Sequence, residues 1–286
     1  MLRDDAMPAA TGLVSTRWLA EHMGAPDLKL ADATWYLPTL KRDARAEYAR
    51  AHIPGAVYFD IDDIADEQSA LPHMLPSAAK FSSRMRGLGL GDGTRIVVYD
   101  NNRYSASARA WWMLRLFGHP EVAVLDGGLA KWLAEGRPVD DRPVVPREAH
   151  FTARQNHLLV RDLEQIRANL VARREQVIDA RSSGRFAGTE PEPRAGLRAG
   201  HIPQSLNLPH LDLIAGDGTL LPAEQLRRRF TALGVDQRRP IVTTCGSGVT
   251  ACTIALALYQ LGAADAAVYD GSWSEWGGRS DTPIES

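Results

Sequence analysis

Cys245 is the residue of this chain best placed to act as a nucleophile. It follows the apolar, β-branched run Ile241–Thr244, which is typical of a buried strand. Two glycines and two hydroxyl residues lie in the loop 246–250, and the Ala- and Leu-rich stretch from Ala251 onward predicts a helix. Convergent loop N–H groups and a helix N-terminus favour a thiolate over a thiol. The sequence therefore predicts a reactive cysteine at the end of a strand.

Most cysteines in intracellular chains are instead small buried core residues. The glycines on either side of Ser247 argue against that role for Cys245, because a packed cysteine needs no such loop. Cys252 lies one turn into the apolar helix and is predicted to be a core residue. Two cysteines so close along the chain do not indicate a disulfide framework, so we expect a reducing compartment, the cytoplasm.

Composition excludes several classes of function. The 286 residues carry a formal net charge of −2 with acidic and basic residues interspersed, so no basic stripe indicates binding to nucleic acid. No apolar run approaches the length that spans a membrane. The first eight residues have no apolar segment of the kind found in secretory signals.

The second half of the chain repeats the landmarks of the first. Each half opens with a predicted helix, over residues 13–22 and 159–171, followed by a short strand that ends in aspartate. Further matched landmarks are His52-Ile-Pro with His201-Ile-Pro, Asp100 with Cys245, and Asp126-Gly with Asp270-Gly. Agreement at several positions in the same order indicates two homologous domains.

The pattern predicts an α/β fold with two tandem domains, each a mainly parallel sheet flanked by helices on both faces. We place the first domain at 1–140, a Pro-rich linker at 141–157 and the second domain at 158–286. Sites in such sheets lie beyond the carboxyl ends of the strands. Asp100 occupies the place of Cys245 in the first domain, so only the second domain has the nucleophile.

These features together resemble the rhodanese superfamily of sulfurtransferases, from about residue 13 to residue 276. The loop Cys245-Gly-Ser-Gly-Val-Thr resembles that of members that act on 3-mercaptopyruvate, whereas thiosulfate-specific members carry basic residues there. Other matching motifs are Trp35-Tyr-Leu-Pro, Phe59-Asp-Ile-Asp, His73-Met-Leu-Pro, Gly184-Arg-Phe, Gly188-Thr-Glu-Pro-Glu-Pro-Arg and Tyr269-Asp-Gly-Ser-Trp.

The resemblance implies a persulfide relay. The Cys245 thiolate attacks the sulfur of 3-mercaptopyruvate, pyruvate leaves, and a thiol acceptor such as thioredoxin or a small thiol, or cyanide, removes the outer sulfur. The loop residues expected to bind substrate and persulfide are Gly246, Gly248, Val249 and Thr250. No metal or organic cofactor is expected.

The resemblance also assigns residues outside the loop. Arg185 and Arg194 are expected to bind the carboxylate of the keto acid, for which a guanidinium fork is suited. Asp62, His73 and Ser247 are expected to form a proton relay. Because Asp62 and His73 belong to the predicted first domain, this relay would join the two domains.

Three alternatives remain open at this point. Thiosulfate is a dianion and would favour cationic loop residues, which Gly246 and Ser247 do not supply. Cysteine phosphatases need an arginine six residues beyond the cysteine, where this chain has Ala251. A non-catalytic binding module would be distinguished by weak reactivity of the Cys245 thiol.

Overall fold

The computed structural model describes residues 12–286. The first eight residues, on which the expectation about a signal segment depends, lie outside the described residues. The chain forms two compact units. The first comprises the described chain up to Ile64, together with Ser77–Gln155 and Gly216–Thr219; the second comprises Ala65–Pro76, Asn156–Ala215 and Leu220–Ser286. The predicted boundaries at 140 and 158 stay predictions, but the segment Ala65–Pro76 of the predicted first domain groups with the second unit.

The first unit is built on a five-stranded parallel sheet. In order across the sheet, its strands are β1 (Leu13–Val14), β5 (Val122–Leu125), β4 (Arg95–Tyr99), β2 (Leu28–Asp32) and β3 (Ala56–Tyr58). Its helices are α1 (Thr16–His22), α2 (Ala44–Arg50), α3 (Ile61–Ile64), α4 (Ala78–Gly87), α5 (Ser107–Leu116) and α6 (Gly128–Ala134), with a 3-10 turn at Pro38–Leu40.

The second unit has the same topology. Its parallel strands, in order across the sheet, are β6 (Val160–Arg161), β10 (Ala267–Tyr269), β9 (Ile241–Thr244), β7 (Gln176–Asp179) and β8 (Leu206–Asn207). Its helices are α7 (Leu163–Ala172), α8 (Ser183–Phe186), α9 (Ala223–Ala232), α10 (Ala251–Gln260) and α11 (Ser272–Trp276), with 3-10 turns at His157–Leu159 and His210–Leu213. The predicted α/β class and the tandem repeat are confirmed.

The opening helix of each half is shorter than predicted, because a short edge strand precedes it. Leu13 and Val14 pair with the end of β5, and α1 starts only after Ser15, whose hydroxyl accepts a hydrogen bond from the N–H of Trp18. In the second unit β6 pairs with β10, and Asp162 caps α7 in a capping box. Two-residue strands give no alternation that a sequence pattern could reveal.

The central strands of both sheets are apolar and buried, as expected for parallel sheets covered by helices. In the first unit the core includes Val97, Tyr99 and Trp132; in the second it includes Val242 and Trp276. Among residues 12–286, no helix combines the length and apolarity needed to cross a membrane.

The predicted linker lies along the first unit as an extended segment. Its Arg154 N–H donates to Phe117 O at 2.8 Å, and its His150 O accepts from the N–H of Asp92 at 2.7 Å. A Cβ on Gly91 would lie 2.6 Å from the Ala149 Cβ, so only glycine allows this approach. Most of the linker is therefore bound to a domain along its length.

Candidate active site

Cys245 lies where the sequence placed it, directly after β9 and ahead of α10. β9 is flanked by β7 and β10, so this strand end is at the middle of the sheet's carboxyl edge. The Cys245 side chain is buried, with 2% of the residue exposed, and both cysteines are free thiols. Cys252 is fully buried in α10, and its Sγ donates to Gly248 O at 3.2 Å.

Ser272, at the start of α11, holds the cysteine loop in place. Its fully buried Oγ accepts hydrogen bonds from the N–H of Cys245 at 3.2 Å and of Gly248 at 3.0 Å, and donates to Tyr269 O at 2.7 Å. One hydroxyl proton and two lone pairs are thus all in use. Ser274 adds a second attachment, because its N–H and its hydroxyl both donate to Gly246 O.

Four other loop N–H groups remain available. Within residues 12–286, no acceptor is bound to the N–H groups of Gly246, Ser247, Val249 and Thr250. Gly248 has a φ of +73°, the left-handed conformation that favours glycine, and its presence lets the loop turn sharply into α10. A short loop of donors at a helix N-terminus is suited to an anion.

The first unit contains a closely related loop that already holds an anion of its own. The buried carboxylate of Asp100, which follows β4, accepts four backbone hydrogen bonds. The donors are the N–H groups of Asn102, Tyr104, Ala106 and Ser107, at 2.9, 3.2, 3.0 and 2.8 Å. A side-chain carboxylate thus shows that this kind of loop binds negative charge.

His73 and Ser247 are brought together within the second unit. The imidazole Nδ1 lies 3.0 Å from the Ser247 hydroxyl oxygen, and both residues are buried. The segment that carries His73 is held two residues further on, where the N–H of Leu75 donates to Asp270 Oδ2 at 2.8 Å. His73 itself has a φ of +60°, an unfavourable conformation for a side chain with a Cβ. The surrounding contacts therefore fix its position.

Asp62, the third predicted member of the relay, is a residue of the first unit. It lies in the first turn of α3, and its Oδ2 accepts a hydrogen bond from Trp35 Nε1 at 2.9 Å. Its part in a relay with His73 stays a prediction.

Both predicted arginines lie next to the cysteine loop. A Cβ built on Gly246 would be 3.0 Å from Arg185 Nη2 and 3.8 Å from Arg194 Nη1. Any larger residue at position 246 would therefore contact the guanidinium of Arg185. The glycine leaves room for both guanidinium groups next to the loop, and such groups are suited to binding a carboxylate.

Arg185 is part of a buried chain of alternating charges. Its Nη2 donates to Glu192 Oε2 at 2.6 Å, and Glu192 Oε1 accepts from Arg181 Nη1 at 2.7 Å. Arg181 in turn pairs with Asp179 through Nε and Nη2, donates to Gly200 O, and lies 4.2 Å above the ring of Trp273.

Arg181 is the fixed centre of that chain. Its side chain has no exposed area, and that of Glu192 is 4% exposed. Burial acts to lower the pKa of the Arg181 guanidinium, but attraction and hydrogen bonding to Asp179 and Glu192 raise this pKa overall. Arg181 therefore remains charged and cannot turn toward a ligand, whereas Arg185, at 20% exposed, reaches the surface of the site.

Sequence reasoning missed Ser272, Glu192 and Arg181. The signal for Ser272 was present in the repeat: it aligns with Gly128, and the two residues share a left-handed backbone, with φ of +50° and +57°. A serine that keeps this unfavourable conformation needs a compensating contact. Glu192 and Arg181 gave no such signal, because arginines and glutamates in a polar loop are usually exposed.

Repeated parallel α/β units, of which only the second carries a cysteine loop, define the class of tandem sulfurtransferase-like proteins. The model of the rhodanese-like domain matches residues 15–135 and 162–279. The chain therefore belongs to the rhodanese family, and the predicted resemblance is confirmed.

Relatives match nearly the whole chain. Human 3-mercaptopyruvate sulfurtransferase is 47% identical over 271 residues, and bovine thiosulfate sulfurtransferase is 46% identical over 271 residues; each match covers 92% of this chain and 91% of the relative. The crystal structure of SseA, a 3-mercaptopyruvate sulfotransferase from Escherichia coli, superposes with a TM-score of 0.85. That match has 39% sequence identity and covers 92% of this chain and 99% of SseA. The predicted enzyme class, sulfurtransferase, is confirmed.

In the part of the chain that the structure describes, no group of three or more His, Cys, Asp and Glu side chains could hold a metal ion. The expectation that catalysis needs no cofactor stays a prediction.

Proposed function

We propose that this protein transfers sulfur from 3-mercaptopyruvate to a thiol acceptor through a persulfide on Cys245. The observation that carries the proposal is the position of Arg185 and Arg194, whose guanidinium groups lie close to Gly246, the residue next to the nucleophile. A carboxylate held there would place the adjoining carbon chain and its sulfur beside the thiol.

The first half-reaction follows from these positions. The Cys245 thiolate attacks the sulfur of 3-mercaptopyruvate, and the C–S bond breaks with its electron pair remaining on carbon. Protonation of the resulting enolate gives pyruvate, and the sulfur remains as a persulfide on Cys245. The N–H groups of Gly246, Ser247, Val249 and Thr250 are placed to stabilise the negative charge of thiolate and persulfide.

Proton movement is assigned to His73 and Ser247. The 3.0 Å contact between His73 Nδ1 and Ser247 Oγ lets a proton move between imidazole and hydroxyl beside the reacting sulfur. The role of Asp62 as a third member of the relay stays a prediction. In the second half-reaction the acceptor thiolate, from thioredoxin or a small thiol, attacks the outer sulfur and releases the Cys245 thiolate.

Thiosulfate is the second candidate donor. The bovine thiosulfate enzyme is as similar to this chain as the human mercaptopyruvate enzyme, so whole-chain identity does not separate the two. What supports 3-mercaptopyruvate is the loop itself, since neither Gly246 nor Ser247 carries a cation that would favour a dianionic donor. A cytoplasmic location belongs to the same proposal and is supported by two free cysteines.

A paired assay tests the proposal. Pyruvate release from 3-mercaptopyruvate and thiocyanate formation from thiosulfate are measured for wild type, Cys245→Ser and the matched control Cys252→Ser. We expect 3-mercaptopyruvate to be the better donor, Cys245→Ser to abolish turnover and Cys252→Ser to retain most of it. A preference for thiosulfate would overturn the donor assignment but keep the nucleophile. If neither donor reacts, the non-catalytic binding module is favoured instead.

A further inference from the structure

The buried carboxylate of Glu192 has two effects on Arg185. It holds the guanidinium by three contacts, from Nη2 to Oε2 at 2.6 Å and from Nε to Oε2 at 3.2 Å and to Oε1 at 3.3 Å. It also places a carboxylate against the guanidinium, and because the Glu192 side chain is only 4% exposed, solvent screens the pair weakly. Arg185 therefore approaches a ligand as a well-oriented donor of hydrogen bonds with much of its charge compensated.

Glu192 cannot turn away from Arg185. Its other oxygen is bound to Arg181, which is itself fixed by Asp179 and by the Gly200 carbonyl. The row of alternating charges has no net charge, because two acids balance two bases. Its members are Asp179, Arg181, Glu192 and Arg185. Arg194 adds one positive charge beside the same loop, so a ligand with one negative charge is matched, whereas a second negative charge is disfavoured by Glu192.

We propose that Glu192 is a positioning and specificity-determining residue, which orients Arg185 toward the cysteine loop and selects monoanionic over dianionic ligands. This inference rests on the proposed function in taking Arg185 as an anion-binding group. It explains why a site with guanidinium groups beside the thiol favours a keto acid, with one negative charge, over thiosulfate, with two.

The substitution Glu192→Gln separates the two effects, because it removes the charge and retains an acceptor of similar size. Glu190→Gln is the matched control: Glu190 belongs to the same loop, is exposed and binds the Ser182 hydroxyl instead of an arginine. Glu192→Asp is the second variant, since it keeps the charge but is too short to hold both arginines in their present positions.

The readout is protection of Cys245 from alkylation by iodoacetamide, with pyruvate as the monoanion and sulfate as the dianion. Neither probe needs turnover, so the result does not depend on the donor assay. In Glu192→Gln we expect sulfate binding to improve relative to pyruvate by about tenfold, the effect of one unit charge at close range. We expect the corresponding kcat/KM ratio of thiosulfate to 3-mercaptopyruvate to rise by about as much.

Glu190→Gln should leave both ratios within twofold of wild type, and Glu192→Asp should weaken both anions together without changing their ratio. A ratio in Glu192→Gln that stays within twofold of wild type overturns the selection of charge. Unchanged binding of both anions in Glu192→Asp overturns the positioning role, and failure of both anions to protect wild-type Cys245 overturns the inference as a whole. Loss of turnover with both donors, while protection follows the expected pattern, would instead contradict the proposed function alone.

Discussion

The Nδ1 atom of His73 and the hydroxyl oxygen of Ser247 lie 3.0 Å apart, although the two residues are 174 positions apart along the chain. Either the hydroxyl donates to the imidazole or the imidazole N–H donates to the hydroxyl, and the imidazole tautomer decides which arrangement forms. The contact lies in the cysteine loop, two residues from Cys245. This contact gives the cysteine loop an acid–base group, His73. The nucleophilicity of Cys245 does not depend on that group.

We therefore expect Ser247→Ala and His73→Gln each to lower kcat/KM for 3-mercaptopyruvate by about 10²-fold, the lower end of what acid–base groups contribute. Since the two side chains act as a unit, the double variant should be little worse than either single variant. Steady-state kinetics of the three variants tests this.

Alkylation of Cys245 serves as the control, because it needs no proton relay and should change less than threefold in the same variants. Additive losses in the double variant would contradict a shared role for His73 and Ser247.

Ser272 gives a prediction about stability. Ser272→Ala leaves the N–H groups of Cys245 and Gly248 without their acceptor, and we expect it to lower the free energy of unfolding by about 3 kcal/mol. Ser205→Ala is the control, since that buried hydroxyl only donates to Ile202 O, and it should cost about 1 kcal/mol. Urea denaturation measures both.

Ser272→Gly separates the hydroxyl from the backbone. Glycine also loses the three hydrogen bonds but adopts the φ of +50° without strain, so it should be more stable than the alanine variant by about 1 kcal/mol. If serine, alanine and glycine variants are equally stable, the hydroxyl does not hold the loop.

The sequence made the position of Cys245 predictable for a physical reason. A buried parallel strand is built largely of apolar and β-branched residues, as in Ile241–Thr244, and a loop that turns sharply into a helix needs glycine. The strand before Cys245 and the loop after it can therefore both be recognised from residue types. Because the two halves share their landmarks, each strand and helix pattern of the fold occurs twice. The fold class could therefore be predicted from one sequence.

The contacts that organise the site were less visible. Asp179 and Asp32 both end a strand, and each accepts the backbone N–H of the residue two positions later, from Arg181 at 2.9 Å and from Thr34 at 2.8 Å. Only Arg181 adds a side-chain ion pair. Whether such an arginine forms a buried ion pair or stays exposed depends on how the chain packs, and the sequence pattern does not show that packing. Sequence reasoning therefore found the residues at the loop and missed those that hold them.

Asp32 should make the stability of the first unit depend on pH. Burial raises the pKa of this carboxyl from 3.8 to about 6, and repulsion from the Asp100 carboxylate acts in the same direction. A raised pKa in the folded state means that its contribution to stability is fully present below pH 3.8 and is lost as the pH rises through about 6.

The variant Asp32→Asn cannot ionise, so its stability relative to wild type should improve between pH 4 and pH 7, by up to about 3 kcal/mol. Urea denaturation of both proteins at each pH measures the difference, in which other titrating groups cancel. A difference that is independent of pH would show that Asp32 ionises normally.

Removal of the Asp100 carboxylate should lower the stability of the first unit. This carboxylate accepts four backbone hydrogen bonds, so Asp100→Ala leaves four N–H groups of the loop without an acceptor. We expect a loss of about 3 kcal/mol or more in the free energy of unfolding, even if water enters the space.

An emptied loop of this kind should bind an anion from solution, and binding to the folded state stabilises it. Sulfate should therefore raise the Tm of Asp100→Ala by more than it raises that of wild type or of the control Asp92→Ala, which removes an exposed carboxylate. An equal response of all three proteins would mean that the loop binds its own side chain but has no affinity for a free anion. A larger response in Asp100→Ala would show that both loops of the tandem repeat are anion sites, one closed by a carboxylate and the other left open beside Cys245.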